Sequence, residues 1–286
     1  MKKPENMVGP TIGHLDILAD ESLRYIIEQE EDIFEKTYKY ADIEIHYLPE
    51  YDLFKRFMTD TFKSAIISRA LTGDERQYFI TNGVTPREYA FATSALAFIT
   101  NENPKDTAFT YEQILELWNN TESGKIFVIE NAKSGIAYEV MRLLNTTNLP
   151  SHFYALKDKK EVIQYLQAHD NAIGIVDWSD ISDSDNPDAK NILSGVNLLG
   201  ISRPVDSIQN GFIKPYQYNL QDRQYPLTRD LYFISTTGMS DVGMGFATFI
   251  AAEIGQKIIL KAGLLPKYQF ERIIEMGSTK DIKVVK

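Results

Sequence analysis

The feature that most constrains the fold of this chain is a repeated order of apolar strand, short polar turn and helix. Three apolar runs have the pattern of buried strands: Ser64–Ile67, Ile126–Ile129 and Ala172–Val176. Capping boxes begin two of the helices, with Thr72 three residues before Glu75 and Thr110 three residues before Gln113. Such alternation of strands and helices predicts an α/β fold.

Three further segments carry structural predictions. The acidic run from Ser179 to Lys190, which contains a proline, is typical of a surface loop. The segment Tyr225–Arg229 predicts an exposed proline turn that leads into an apolar strand. A helical pattern begins near Asp241 and stops at Gly263, which predicts one long helix.

Composition excludes several classes of function. The net charge of -10 argues against nucleic acid or an anionic membrane surface as the main partner. A small anion stays possible, because a nest of backbone N–H groups can bind one inside an acidic protein. The chain has no cysteine, which excludes disulfides, thiolate catalysis and cysteine-based zinc sites. Its 4 histidines are widely spaced, so we expect neither a metal nor a cofactor.

The length of 286 residues allows two lobes with separate cores or one large domain. No apolar run reaches the roughly 18 residues of a transmembrane helix. The polar start, residues 1–11, predicts an N-terminal tether and lacks the apolar core of a signal peptide. The protein is therefore either cytoplasmic or a mature form whose export segment has been removed.

Three turns share one layout, in which a strand ends, polar residues follow and a helix begins: Asp20-Glu21-Ser22, Ser68-Arg69-Ala70 and Asn131 to Gly135. Ligands of open α/β sheets bind outside the carboxyl ends of the strands, and helix N-termini attract anions. The candidate ligand contacts are Ser22, Ser68, Arg69, Asn131, Ser134 and Gly135. Serine hydroxyls would donate, the glycine would allow close backbone approach, and the arginine would be the charge partner.

Each turn also has a purely structural interpretation. Serine before a helix is usually an N-cap, an arginine is often a surface ion-pair residue, and acids at a helix start stabilise the dipole. Only the threefold recurrence favours a site. An enzyme is not supported, because Ser134 lacks a nearby histidine and a G-x-S-x-G elbow. The adjacent acids Asp20 and Glu21 need not face one substrate.

The chain resembles the phosphate-binding branch of type 2 periplasmic binding proteins over about residues 12–276. The turn Ile67–Thr72 is similar to that family's serine-arginine-proline-leucine turn, and Phe127–Gly135 is similar to its serine-glycine-threonine loop. Ala172–Gly174 is similar to its isoleucine-glycine strand. The ending, Glu253–Lys257 followed by Gly263–Pro266, is the best match.

The resemblance implies two α/β lobes with a ligand cleft between them, joined by two crossing strands, one of them within Tyr89–Ile99. Residues 12–98 and 220–286 would form a discontinuous first lobe, and residues 99–219 the second. It further implies an exported, periplasmic or cell-surface protein, often lipid-anchored upstream, that binds phosphate as a monomer and delivers it to an ABC permease.

The chain departs from the family pattern at the proposed ligand contacts. Glu130 stands where relatives usually carry an arginine, and Ile136 replaces a threonine. Asp20 and Glu21 stand where many relatives place threonine or serine. Acids at these positions repel a dianion. Two functions therefore stay open: a solute-binding protein for a small oxyanion, phosphate first, or a two-lobed module that has lost phosphate binding and recognises another small ligand or a protein partner.

Overall fold

The computed structural model describes residues 8–59, 61–203, 211–238 and 240–269, with two further strands near the C-terminus. The strands are β1 Ile12–Asp20, β2 Tyr40–Leu48, β3 Ser64–Ile67, β4 Arg87–Thr100, β5 Ala108–Thr110, β6 Ile126–Glu130, β7 Phe153–Leu156, β8 Ala172–Asp177, β9 Asn197–Leu198, β10 Gly200–Ser202, β11 Thr228–Ser235, β12 Leu265–Pro266, β13 Ile274–Met276 and β14 Ile282–Val284. The helices are α1 Arg24–Thr37, α2 Glu50–Phe57, α3 Gly73–Thr81, α4 Tyr111–Asn119, α5 Gly135–Leu144, α6 Lys159–Ala168, α7 Pro187–Ser194, α8 Gln217–Gln221, α9 Val242–Ala251 and α10 Glu253–Lys261, with 3₁₀ turns at Glu21–Leu23 and Trp178–Asp180. The α/β fold is confirmed.

Strand β4 connects the two parts of the main sheet, whose order is β2-β1-β3-β11-β4-β8-β6-β7. Its residues up to Ala95 pair antiparallel with β11, and those from Leu96 onward pair antiparallel with β8. We call β1–β3, β11 and the start of β4 the first sheet half, and β6–β8 with the end of β4 the second sheet half. Within each half, β1–β3 and β6–β8 run parallel, so their carboxyl ends share an edge.

Aromatic side chains fill the core on both sides of strand β4. Phe34 from α1 meets Phe246 from α9 edge-on, with ring centroids 5.3 Å apart. Beside the second sheet half, Trp118 from α4 stacks on Phe98 at 6.1 Å and meets Phe127 at 6.3 Å. Helices cover both halves, and one continuous apolar core runs through them, with a smaller cluster beneath α2 and α3.

The expectation of an exposed turn at Tyr225–Arg229 is wrong for most of its side chains. Tyr225 is buried and its hydroxyl donates to the Leu96 carbonyl at 2.7 Å. The Leu96 N–H in turn donates to the Leu227 carbonyl at 2.9 Å. Alternate residues from Tyr225 to Phe233 are buried, which is the period of a strand with one face in the core. The segment is an internal crossing between the two sheet halves.

The expectation of a surface loop over Ser179–Lys190 is wrong in part. A 3₁₀ turn ends at Asp180, and α7 begins at Pro187, a residue suited to the first position of a helix. Asp183 and Asn186 are buried, and their side chains accept the N–H groups of Asp185 and Asp188 at 2.7 and 2.9 Å. These local side-chain-to-backbone hydrogen bonds satisfy the polar groups, so part of the acidic run can be buried.

The prediction of a single C-terminal helix is also wrong. Two helices, α9 and α10, meet at Ala252 with a bend of 61°. Asp241 caps α9 as expected, accepting the Met244 N–H at 3.0 Å. Gly255 allows the close packing after the bend, since a Cβ there would lie 2.5 Å from the Phe249 carbonyl oxygen. Among the described residues no single helix is long and apolar enough to cross a membrane, although this bent pair reaches the necessary length and composition.

The N-terminal tether and the boundaries of the two lobes stay predictions. Residues 1–7 of the tether lie outside the described residues, and Gly9 pairs with Ile12 just before β1. The change of partner between Ala95 and Leu96 on β4 falls close to the predicted boundary at residue 98.

Candidate functional site

Three turns meet between the two sheet halves. Asp20 ends β1, Ser68 follows β3, and Gly135 begins α5 after β6. A Cβ atom built on Gly135 would lie 2.8 Å from Ser68 Oγ and 3.0 Å from Asp20 Oδ2. Two turns come from the first sheet half and one from the second, so together they form the floor of a cleft, as the layout of strand ends predicts.

Ser22, Ser134 and Asn131 hold the turns in shape. The Ser22 N–H and hydroxyl both donate to Asp20 Oδ1 at 3.0 Å, and Ser134 Oγ caps α5 by accepting the Ala137 N–H at 3.3 Å. Asn131 has a φ of 60, the left-handed region that asparagine tolerates. Its amide donates to Glu21 Oε1 at 3.2 Å across the cleft. Ligand contact by these residues stays a prediction.

Nearly all hydrogen-bond donors of Arg69 are taken up by other residues of the protein. Its Nε donates to Glu50 Oε1 at 2.6 Å, and its two Nη atoms donate to Glu75 at 2.7 and 2.8 Å. A fourth N–H group donates to the Ala70 carbonyl at 3.0 Å, so one of the five N–H groups of the guanidinium has no partner among the described residues. The rings of Phe54 and Tyr138 pack against its guanidinium, with Cζ 4.4 and 4.3 Å from the ring centroids. The arginine therefore braces α2 and α3, and its role as a ligand's charge partner stays a prediction.

Glu50 and Arg229 are buried charges that sequence reasoning missed. Glu50 is the first residue of α2 and only 3% exposed. Placed after a proline at a helix start, it looks like an ordinary dipole-stabilising acid, and nothing local marks it as buried. Arg229 did leave a signal, because it occupies an inward position in the alternating run from Tyr225 to Phe233.

Arg229 forms a buried ion pair with Asp177 at the end of β8. Asp177 also accepts the Ser94 hydroxyl at 2.5 Å and the Ser179 N–H at 2.8 Å. Burial by itself would raise the pKa of Asp177, but Arg229 and these donors outweigh it and lower the pKa. The Nε atom of Arg229 has no hydrogen-bond partner among the described residues. A cation with a free donor thus lies where the two sheet halves join.

Two carboxyl groups at the floor of the cleft are hard to ionise. Burial raises the pKa of Asp20, and the Arg229 charge and the Ser22 donors offset it only in part. Burial likewise raises the pKa of Glu50, against the opposing charge of Arg69. Ser68 Oγ lies between the two, 3.5 Å from Asp20 Oδ2 and 3.4 Å from Glu50 Oε2. The floor can therefore accept hydrogen bonds, or donate them when protonated.

More acids surround this floor. Burial raises the pKa of Glu21 and of Glu130, and raises that of Asp180 to about 7. Lys159 partly compensates, with its ammonium 2.6 Å from Asp180 and 3.8 Å from Glu130. Glu130 is thus a partly buried acid beside the three turns.

The closed space at the centre is small. It measures about 10 Å³, roughly the room for one water, and its lining includes Asp20, Glu21, Glu130, Ser134 and Ile136. Larger grooves open on either side, one of about 940 Å³ between α1, α6 and α7 and one of about 680 Å³ between α2 and α5. A ligand would enter the centre only if the sheet halves moved apart or side chains shifted.

The described residues contain one exposed group with metal-ligand chemistry, His14, Asp16 and Glu44. It lies in the paired strands β1 and β2, away from the three turns.

A family model described as a PBP superfamily domain matches residues 5–253. No curated protein sequence matches the chain. Among solved structures, the chain is similar to an ABC-type phosphate transport receptor from Vibrio cholerae, with 14% identity, a TM-score of 0.69, and 89% of this chain and 100% of that one covered.

Two other solved structures show how widely the fold is used. PstS from Borrelia burgdorferi shares 20% identity at a TM-score of 0.57, covering 88% of this chain and 98% of that one. The CcmR regulatory domain from Synechocystis, in complex with 2-PG, shares 13% at a TM-score of 0.56, covering 83% of this chain and 95% of that one. At these identities the likeness shows the fold and leaves the ligand open.

Proposed function

Because the chain belongs to the PBP superfamily, a family of two-lobed binding proteins, we propose that it is the extracytoplasmic solute-binding protein of an ABC transporter. Its cleft would take up a small oxyanion, phosphate first, and its closed form would present that solute to a permease. The family and the fold are those of binding proteins, and no acid–base or nucleophile arrangement on the three turns suggests catalysis.

The observation that carries the proposal is the meeting of the three turns at the start of α5. Backbone N–H groups at a helix start favour an anion, and the hydroxyls of Ser68 and Ser134 lie at the same point. Arg229, buried beside the floor with a free Nε, is the cation best suited to balance the charge. Ser22, Asn131 and Gly135 complete the proposed ligand contacts.

Several finer features belong to this proposal. Residues 12–98 with 220–286, and residues 99–219, would be the two lobes, an assignment supported by the change of partner along β4. The protein would act as a monomer, in the periplasm or at the cell surface. A lipid anchor upstream of residue 1 would keep it at the membrane.

The test is native mass spectrometry of freshly purified protein, followed by thermal unfolding with phosphate, sulfate, molybdate and organic anions. A ligand at 100 times its Kd stabilises the folded state by about 2.7 kcal/mol, a rise of several degrees in Tm. We expect phosphate to give the largest rise. If no anion raises the Tm, the oxyanion proposal fails.

The buried acids favour a second candidate, the two-lobed module that recognises another small ligand or a protein partner. Where Glu50, Asp20 and Glu130 are ionised, as Glu50 would be in its ion pair with Arg69, they disfavour a dianion, and the central space of about 10 Å³ is small. A neutral or cationic metabolite retained in native mass spectrometry, together with no response to anions, would support this candidate.

A further inference from the structure

Two histidines and three acids share one face of the paired strands β1 and β2, away from the three turns of the cleft. The strands run parallel, with His14 beside Asp42 and Asp16 beside Glu44, and His46 lies two residues further along β2. Alternate residues of a strand point to the same side, so all five side chains lie on one face. Strand β2 stands at one end of the strand order, which places this face at the edge of the sheet.

The nitrogen and oxygen atoms of this group are spaced like the ligands of one metal ion. His14 Nε2 is 3.2 Å from Asp16 Oδ2, and His46 Nε2 is 3.1 Å from Asp16 Oδ1. His46 Nε2 is also 3.7 Å from Glu44 Oε1. In a tetrahedral zinc centre with bonds of about 2.0–2.1 Å, neighbouring ligand atoms lie about 3.3 Å apart. Small rotations of these side chains would therefore bring their ligand atoms around one ion.

Two further contacts orient the histidine rings. With its proton on Nδ1, His14 donates to Asp42 Oδ2 at 2.8 Å, which leaves the lone pair of Nε2 directed toward Asp16. Histidines that bind metals usually donate their other N–H to such a carboxylate, because it fixes the tautomer and the ring orientation. The His46 ring meets the buried ring of Phe62 edge-on, with centroids 5.1 Å apart. Both rings are thus held in place before an ion binds.

The charge and the donor types of the group favour a transition-metal dication. Three carboxylates against two imidazoles leave these five side chains negative in total, even with both histidines protonated. Imidazole is a ligand that zinc, copper, iron and nickel accept, whereas magnesium prefers oxygen ligands and retains several waters. Zinc commonly takes four nitrogen and oxygen ligands of this kind.

We propose that His14, Asp16, Glu44 and His46 form a zinc site at the edge of the first sheet half, with Asp42 orienting His14. The spacing of the histidines in the sequence predicts no metal site, because only the parallel pairing of β1 with β2 brings them together. Ligands from both strands mean that a bound ion would hold the edge strand β2 to β1 and stabilise the folded protein by mass action. The proposal goes beyond the proposed function and does not depend on it.

The experiment titrates the whole protein, without a polyhistidine tag and in phosphate-free buffer, with zinc chloride in a calorimeter. A parallel titration uses magnesium chloride. We expect one Zn²⁺ per chain, bound at least tenfold more tightly than Mg²⁺. Zinc at about 100 times its Kd should also raise the Tm by several degrees.

Two variants each remove one ligand, His14→Gln from β1 and Glu44→Gln from β2. Loss of a carboxylate that only supports a metal-bound histidine already costs roughly 10- to 100-fold in affinity, so each variant should bind zinc at least tenfold more weakly. His169→Gln and Glu28→Gln are the matched controls, because His169 stacks on Tyr165 and Glu28 lies on the exposed side of α1. Both controls should bind zinc as the wild type does.

The substituted side chains of His14 and Glu44 are exposed, so both variants should unfold near the wild-type Tm when zinc is absent. That zinc-free Tm identifies any variant that does not fold. The proposal is overturned if the wild type shows neither zinc binding nor a rise in Tm, or if the folded variants bind zinc as tightly as the wild type. Magnesium bound as tightly as zinc would also overturn it, since the group would then be an unselective acidic surface. None of these results bears on anion binding in the cleft, which is measured without zinc.

Discussion

Glu30 is a buried carboxyl group on the core face of α1, and neither of its oxygens has a hydrogen-bond partner among the described residues. Burial raises its pKa to about 9, so the folded protein keeps this proton at neutral pH. The unfolded chain releases it near the ordinary value of 4.5. The unfolded state therefore binds fewer protons between these two pH values, and the free energy of unfolding falls as the pH rises through that window.

Replacing Glu30 with methionine should stabilise the protein increasingly as the pH rises. The acid costs about 1.4 kcal/mol per pH unit above the unfolded pKa, so Glu30→Met should gain roughly 3 kcal/mol or more at pH 8 and much less at pH 5. Urea unfolding at both pH values measures the difference. Glu28→Met, on the exposed side of the same helix, should change stability by about 0.5 kcal/mol or less. An equal gain for Glu30→Met at both pH values would contradict the assignment.

At the scale of elements, the start of α5 controls how closely the two sheet halves approach. Gly135 and Gly73 are both the first residue of a helix that follows a hydroxyl N-cap, Ser134 or Thr72. Around Gly73 a Cβ would meet no atom within 4 Å, whereas at Gly135 it would lie 2.6 Å from Glu50. The two glycines are alike locally and differ only in what the fold brings against them.

Gly135→Ala should therefore separate the sheet halves, and Gly73→Ala should not. The new methyl group cannot fit against Glu50, Ser68 and Asp20 unless α5 or these side chains shift, and their burial favours the shift of α5. Small-angle scattering should give a larger radius of gyration for Gly135→Ala than for the wild type. Gly73→Ala should scatter as the wild type does, with stability unchanged or raised by a few tenths of a kcal/mol. Identical scattering from all three proteins would show that the start of α5 does not set the separation of the sheet halves.

At the scale of the whole molecule, the cleft is held closed from both ends. At one end Lys133 Nζ lies 2.9 Å from both carboxylate oxygens of Asp52, and the Tyr51 N–H donates to the Lys133 carbonyl at 3.1 Å. At the other end the Ser182 hydroxyl donates to the Ala262 carbonyl at 2.6 Å, and the Trp178 indole N–H donates to the Gly263 carbonyl at 3.2 Å. These contacts need no ligand.

Reversing the charge of Lys133 should shift the molecule toward an open form. Lys133→Glu turns an attraction worth about 1 kcal/mol or less into a repulsion, which changes the ratio of open to closed molecules by roughly fivefold to tenfold. A fluorescent pair with one dye beside each sheet half would report the opening. The double variant Asp52→Lys with Lys133→Glu restores the attraction and should close the cleft again. A double variant as open as the single one would count against this ion pair as a latch.

Local features could be predicted from the sequence, and long-range charge partners could not. Both capping boxes form as their spacing predicts, with Thr72 accepting the Glu75 N–H and Thr110 accepting that of Gln113, each at 3.2 Å, because every atom involved lies within one turn of chain. The choice of partner for Arg69 depends on Glu50, 19 residues away. No local sequence pattern indicates that Glu50 is buried.

The long-range partners of Arg229 and Gly135 could not be predicted from the sequence either. The pair of Arg229 with Asp177 joins positions 52 residues apart, so a proline turn seen alone could not reveal it. The contact of Gly135 with Glu50 is likewise set by how the two sheet halves meet. The turns of the candidate site could be found locally, whereas the acids and the cation that decide its ligand depend on tertiary structure.

The strand shared by the two sheet halves limits how the protein can be divided for study. Residues 99–219 expressed alone would lack most of β4, and β8 would lose the partner that covers one of its sides. Its free N–H and C=O groups would then form an open sheet edge, the kind of surface that joins with other chains and aggregates. A fragment study that takes in all of β4 and the Tyr225–Leu227 crossing would keep that edge covered.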